Sequence, residues 1–557
     1  MSIIMEKVSG ILSAIARAIL TRKTLFLILL TADTVITYIF SVILPFPLGA
    51  LLGASVTIST VVLLVYYNIT KRVGVIPVSH DLLFVLVHLR CMITGNPPLG
   101  AMFKRVADTP TYSKKYREIF GKLYNLTRNW GYSVPEALRL VAKITTSKVD
   151  EQFLQRFAAI VATGSDVKEY LRLEYNTLSA EYTSSYNRFI GTLSVVLGVY
   201  TTLLGALAFL IAVILLMGML FGGLSQSFIS GVLGVGLSLS GMSLLLFILV
   251  KRPLFEYKRG RSMLVKVIRV LGASGVVFMA FMILYMLVTG ALYSLRETGL
   301  MLVVTGIVLL PAGILVKMHE GAISELDLFY PAFIRSYGEH LAVIPDMVSS
   351  LKPLLAAELG RLRKALSKVY AGLVNRVDPR IMWVRFAEET CSELIYRSTS
   401  IFMDTLELGG DMGETGALLS EHFNNLYRIR ASYTQVFKTF ETTLYVMHLV
   451  VVLLLVFISG FVKVFSYVLT NFVGGVPAVF ADIFAFFTIT PEDVSFVVNL
   501  LTLVILISNS VTLYSVNPGS RYELYYFLAV LFILTGIGVY AGDITVDYLF
   551  NTVFSSL

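Results

Sequence analysis

The chain is poor in the residues that usually carry chemistry. Its 557 residues include two cysteines, Cys91 and Cys391, two tryptophans and six histidines. Without a Cys-x-x-Cys or Cys/His cluster, a disulfide framework and a thiolate zinc site are both excluded, and the cysteines read as small core residues on the cytoplasmic side. His80, His88, His319, His340, His422 and His448 are scattered rather than spaced as ligands. There is no Gly-x-x-x-x-Gly-Lys-Ser/Thr segment for a P-loop, no His-Glu-x-x-His and no Gly-x-Ser-x-Gly. The one glycine-rich stretch, Gly409 to Gly416, holds Asp411 and Glu414 but no lysine, so it would repel a phosphate. No catalytic residue, cofactor or metal is expected. Charge is also scarce, at 15% of residues.

What the chain has instead is apolar length. With 56% hydrophobic residues and a mean hydropathy of +0.79, it reads as an all-α polytopic membrane protein in the cell membrane. The net charge of +9 is accounted for by the positive-inside rule, so the lipid bilayer rather than nucleic acid is the expected partner of that charge. About nine spans are expected, near 25–44, 48–69, 190–221, 228–250, 270–289, 299–316, 442–462, 494–516 and 523–540. The first is read as a retained helix rather than a removed signal peptide. Basic clusters at Arg22/Lys23, Lys71/Arg72, Lys251 to Arg261 and Arg521 then fall on one side, with Asp482, Glu492, Asp493 and Asp543 on the other. This places the amino terminus in the cytoplasm, the carboxyl terminus outside, and an external segment at 463–492. Asp33 stands alone inside the first span, and the 228–250 span carries Ser230, Gly234 and Ser238 on one face, where another helix can approach closely.

Two polar regions interrupt the spans and are expected to form cytoplasmic helical bundles. The order is 1–72, an amino-terminal segment with two spans; 73–189, the first bundle; 190–316, four spans with a basic loop; 317–440, the second bundle; and 441–557, three spans and a short tail. In the first bundle Ser79 caps a helix stopped at Gly95-Asn96-Pro97-Pro98, two further helices follow, and Ser133 to Glu136 forms a capping box that opens a fourth. About six helices are expected. Lys104, Arg105, Lys114, Lys115, Arg117, Lys122 and Arg128 make this bundle basic, as Lys251, Arg252, Lys258, Arg259 and Arg261 do the loop between spans. The second bundle is more acidic in its later half, with Glu388, Glu389, Glu393, Asp404, Glu407, Asp411, Glu414 and Glu421.

The two bundles share a signature. Phe157, Gly164, Asp166 and Glu169 recur as Phe402, Gly409, Asp411 and Glu414 at one constant offset, and the second copy adds Gly410, Gly413 and Gly416. Each copy should end one helix on a left-handed glycine and start another on an aspartate cap, with the glutamate reaching back to the cap amide. Extending that offset sets 118–142 beside 363–387 without a gap.

A duplicated helical bundle, each copy ending in a Gly-Gly-Asp-x-Gly-Glu-like turn and a long helix that becomes a span, resembles the type II secretion F domain. FMDTLELGGDMGETGALLSEHFNNL is the closer copy, with Gly413, Glu414, Gly416 and Leu418 available to match; TGSDVKEYL lacks the later glycines. The extra leading spans resemble the archaeal branch, which serves archaella and adhesive pili. The resemblance implies a non-enzymatic platform that couples a cytoplasmic secretion ATPase to assembly of pilin- or archaellin-like subunits; a second copy of the chain, as a homodimer, is a further expected partner. The basic residues above are then candidates to bind the ATPase. The alternatives are a secondary transporter, for which the spans carry few charges and no internal repeat, and an integral-membrane enzyme.

Overall fold

The computed structural model describes residues 78–221, 263–473 and 491–555, all helix, turn and loop with no strand among them. The first bundle comprises α1 (His80–Met92), α2 (Leu99–Asp108), α3 (Lys114–Arg128), α4 (Val134–Ile144), α5 (Lys148–Thr163) and the start of α6 (Val167–Phe221). Two span helices follow, α7 (Met263–Thr289) and α8 (Leu295–Val343). The second bundle uses the end of α8 with α9 (Met347–Leu351), α10 (Gly360–Val374), α11 (Pro379–Thr390), α12 (Glu393–Glu407) and the start of α13 (Met412–Val473). Helices α14 (Pro491–Val516) and α15 (Leu524–Ser555) complete the described chain.

Among the described residues six helices are long and apolar enough to cross a membrane: α6, α7, α8, α13, α14 and α15. The chain is thus a multi-pass, all-helical membrane protein. The other three expected spans, 25–44, 48–69 and 228–250, lie outside the described residues, as do Asp33 and the basic loop from Lys251 to Arg261. No break separates bundle from span. Helices α6, α8 and α13 have 55, 49 and 62 residues; at ~1.5 Å per residue each is long enough to cross a ~30 Å apolar layer and still wall a bundle. Helix α8 does so through two internal prolines, Pro311 and Pro331, and α13 runs past Lys463 into the stretch expected as an external segment.

The repeat is one of structure. The cap residues Asp166 and Asp411 are 245 apart, as are Phe157 and Phe402, and both phenylalanines are buried. Phe157 stacks on Tyr170 and Phe153, and Phe402 on Tyr337 beside Trp383. The ungapped register expected for the preceding helices does not hold. The buried face of α3 is Tyr116, Phe120 and Leu123, and that of α10 is Leu362, Leu366 and Val369, an offset of 246. The α10–α11 loop is one residue shorter than the α3–α4 loop, which restores 245. A shift of one residue turns a helix by 100°, so burial rather than identity decides which positions correspond.

The spans pack through small residues and buried hydrogen bonds. Gly299, Gly306 and Gly313, seven apart on α8, lie against Tyr540, Ala529 with Ile533, and Tyr526 of α15, where a Cβ would come within 2.9 Å of the partner backbone or side chain. Tyr200 of α6 donates to Asn509 Oδ1 of α14 (2.7 Å), and the Asn509 amide donates to His448 Nδ1 of α13 (3.0 Å). His448 Nε2 meets Thr535 Oγ1 of α15 at 2.7 Å, and Thr535 donates onward to Leu531 O. The chain fixes the His448 tautomer with Nε2 protonated, and it satisfies four polar side chains that lipid could not.

Candidate functional site

The signature turns are built as their residues require, with one exception. Gly164 and Gly409 have φ of +66° and +73°, the left-handed conformation that ends α5 and α12. Asp166 Oδ1 accepts from Lys168 N (2.8 Å) and Glu169 N (3.3 Å), and Asp411 Oδ1 from Glu414 N (3.0 Å). The glutamates turn to bases rather than back to the caps: Glu169 binds Arg172, and Glu414 binds Lys168 of the other copy at 2.7 Å. Ser133 likewise makes no side-chain cap bond, whereas Ser79 caps α1 as expected.

The later glycines of the second copy allow close packing. A Cβ on Gly410 would lie 2.4 Å from Thr405 Cγ2 and 2.9 Å from Thr94 Oγ1; one on Gly416 would meet Ile334 O at 2.7 Å. Gly413 has room. Thr94, at the end of α1, accepts from Asp411 N (2.9 Å), and a Cβ on Gly95 would strike Gly409 at 2.8 Å. The second turn is therefore covered by the first bundle through Thr94 and Gly95, although a Cβ on either Gly164 or Gly409 would itself meet nothing within 4 Å.

Charge joins the bundles. The buried Asp404 carboxylate receives Arg105 from the first bundle (3.5 Å) and Arg380 from the second (3.0 Å), and the same two arginines share Glu407. Thr109 donates to Asp404 Oδ2 at 3.4 Å, and His88 Nε2 stands 3.4 Å from the same oxygen. Burial pushes the Asp404 carboxyl up to about 6 against the pull of Arg380 and Arg105. Burial, with the Arg105 charge, lowers His88 to about 3, so it is neutral. A second clasp joins Arg397 to Asp81 (2.6 Å) and Glu393 (2.6 Å), with the guanidinium over the Phe84 ring.

These pairs sort the sequence-identified residues. Arg105 is engaged between bundles, and Lys115 pairs with the buried Asp150 inside the first. Lys104 lies over Tyr124, and Lys114 pairs with Glu118 on the surface. Arg117, Lys122 and Arg128 are exposed. In the second bundle the acids are largely used internally, Glu389 by Lys368 and Arg385, Glu393 by Arg397, Asp404 and Glu407 by Arg380 and Arg105. This leaves α10 outwardly basic: Arg363 and Lys364 are exposed, and at the 246 offset Arg363 corresponds to Arg117 and Lys368 to Lys122. Sequence reading missed this second basic helix because the acids that offset it in composition are turned inward. It also missed the Asp404 and Arg397 clasps, whose partners are about 300 residues away. Among the described residues no group of His, Cys, Asp and Glu is placed to hold a metal ion.

Residues 86–215 match the family described as type II secretion system (T2SS), protein F. The matched stretch is the first repeat, the copy with the sparser glycines. The chain is also similar to Flagella accessory protein J of Methanocaldococcus jannaschii, 25% identical over 340 residues that make up 58% of this chain and 59% of the relative. With Flagella accessory protein J of Methanococcus voltae it is 23% identical over 344 residues, 58% of this chain and 60% of the relative. The matches thus span about 60% of the length of these relatives. No solved structure matches the chain. The resemblance read from the repeated turn is borne out, and both relatives are archaeal.

Proposed function

We propose that the chain is the non-enzymatic membrane platform of a type IV filament or secretion machine of the archaellum kind. In this reading the bundles lie in the cytoplasm, a separate secretion ATPase grips them, and their movement is passed to spans that handle pilin- or archaellin-like subunits. One observation carries the proposal: α6, α8 and α13 run without a break from the bundles into the spans, so a force on the bundles reaches the membrane through continuous helices. The two clasps at Asp404 and Arg397 support it by making the bundles one body. The exposed cations Arg117, Lys122, Arg363 and Lys364 offer charge for orienting an acidic partner. Lys115 is unsuited to that role, because its ammonium is committed to Asp150.

The test is retention of the ATPase in membranes carrying the full chain. Changing Arg117, Lys122, Arg363 and Lys364 to Glu should release it at low salt, where the parent holds it, and the parent's hold should weaken as salt rises. A variant that retains the ATPase as well as the parent at both salts would overturn the docking role. A strain lacking the chain that still builds its filament would overturn the platform.

A further inference from the structure

Each bundle ends α3 or its counterpart α10 in a tight loop that exposes apolar side chains beside an arginine. After α3, Trp130 is 73% and Tyr132 36% exposed, next to exposed Arg128. At the end of α10 Val374 is 52% exposed, in the loop Val377 is 39% exposed, and on the first turn of α11 Ile381 is 60% exposed. Both loops turn through a left-handed residue, Gly131 at φ +71° and Arg376 at φ +60°. In both, an amide just past that residue returns to the helix, Tyr132 N to Leu126 O and Val377 N to Gly372 O, each at 3.0 Å. An arginine at positive φ stores strain that glycine would avoid, and Arg376 is exposed.

We propose that the α3–α4 and α10–α11 loops are a matched pair of docking knobs for one cytoplasmic protein, which presents an apolar pocket with an acidic rim at least twice. This rests on the platform reading and adds where the partner is held and what shape it has. Tryptophan, tyrosine and arginine are the side chains that dominate protein–protein binding, which makes the α3–α4 loop the stronger anchor, while the α10–α11 loop and its flanks offer aliphatic Val374, Val377 and Ile381 beside Arg376. The adjacent cations Arg128 and Arg376 favour an acidic rim, and Arg117, Lys122, Arg363 and Lys364 further back along α3 and α10 extend the same charge. The duplication sets the stoichiometry. Two knobs built on the same backbone turn and joined in one body are met best by a partner that repeats its pocket, hence by a homo-oligomer, and binding at the second knob is then intramolecular. An anionic lipid surface would also attract the cations, but it would not discriminate between one knob and two.

The experiment uses the full chain in lipid nanodiscs, with and without anionic phospholipid, and purified secretion ATPase of the same machine. The variants are Trp130→Ser with Tyr132→Ser, Val374→Ser with Val377→Ser, and all four; an unchanged melting midpoint confirms that the bundles remain folded. Each single-knob variant should weaken binding by on the order of tenfold or more, and the quadruple variant should bring it to background. Trp130 also reports directly, because the other tryptophan, Trp383, is buried. Its emission, taken as parent minus Trp130→Phe, should be that of a solvated indole in the free chain and shift to the blue when the ATPase binds. If the variants bind like the parent, the knobs are not the docking site although the platform reading stands. If Trp130 is already blue-shifted in anionic nanodiscs alone, the knob is a lipid contact and the proposal falls. If the parent does not bind the ATPase at all, the platform reading fails and this inference with it.

Discussion

Lys168 and Glu414 stand one residue apart from equivalence in the two repeats, and their side chains meet, Nζ to Oε2, at 2.7 Å. The first turn of α6 is therefore tied to the first turn of α13, where the two long helices begin. The pair is half exposed, so its role is to record the closeness of the repeats rather than to supply much energy.

The signature should accordingly fail at its closely packed glycine, Gly410, and not at its surface pair. Lys168→Ala is expected to change stability by less than about 1 kcal/mol, and Asp411→Ala to cost about 1 kcal/mol as a lost cap. Gly410→Ala should be worse than either, since its Cβ would enter the space of Thr405 and Thr94, while Gly413→Ala should be tolerated. Melting midpoints of the four variants in one detergent give the order.

Acid should act on the bundle interface from two directions. His88 is lowered from 6.5 to about 3 in the folded chain, so its contribution is complete above pH 6.5 and is lost as pH falls towards 3. Asp404 is raised from 3.8 to about 6, so the folded state gains relative stability as it takes up a proton between pH 6 and 4. Asp404→Asn removes the second effect. Between pH 7 and 5 the melting midpoint of Asp404→Asn should fall more steeply than that of the parent; equal slopes would show that Asp404 does not titrate there.

The intramembrane chain should be sensitive at its middle. Asn509→Leu takes a partner from both Tyr200 and His448, whereas Thr535→Val removes only the terminal contact. Hydrogen bonds in membranes are worth about 0.6 kcal/mol on average, so Asn509→Leu should cost more than Thr535→Val by about that amount or more. Unfolding in mixed micelles measures the difference.

Topology offers a separate check. With the amino terminus inside, a cysteine introduced at Thr545 should react with an impermeant reagent added to whole cells, and one at Tyr257 should not. The opposite pattern at either position would contradict the nine-span reading.

Local chemistry explains what could be read in the sequence. Gly164, Gly409 and the two aspartate caps announce themselves because a left-handed glycine followed by a cap is a property of a few adjacent residues. The span positions follow from composition alone. The inter-bundle clasps were hidden, since Asp404 and Arg105 are 299 residues apart and neither has an unusual neighbourhood in the sequence. Gly299, Gly306 and Gly313 did carry a visible seven-residue spacing, which an apolar span disguises. The one-residue displacement of α10 could be seen only from which residues are buried.

In the platform reading the two bundles form one rigid body fixed to the spans. The distance between spin labels at Glu118 on α3 and Ser367 on α10, both exposed and outside the cations offered to the ATPase, tests this most directly in the full chain in nanodiscs. A single narrow distribution is expected, unchanged when the ATPase is added with or without nucleotide, and broadened when Asp404 and Arg397 are both replaced by Ala. A parent chain with two or more distances, or one whose distance follows the nucleotide, would show bundles that move against each other and would contradict the claim.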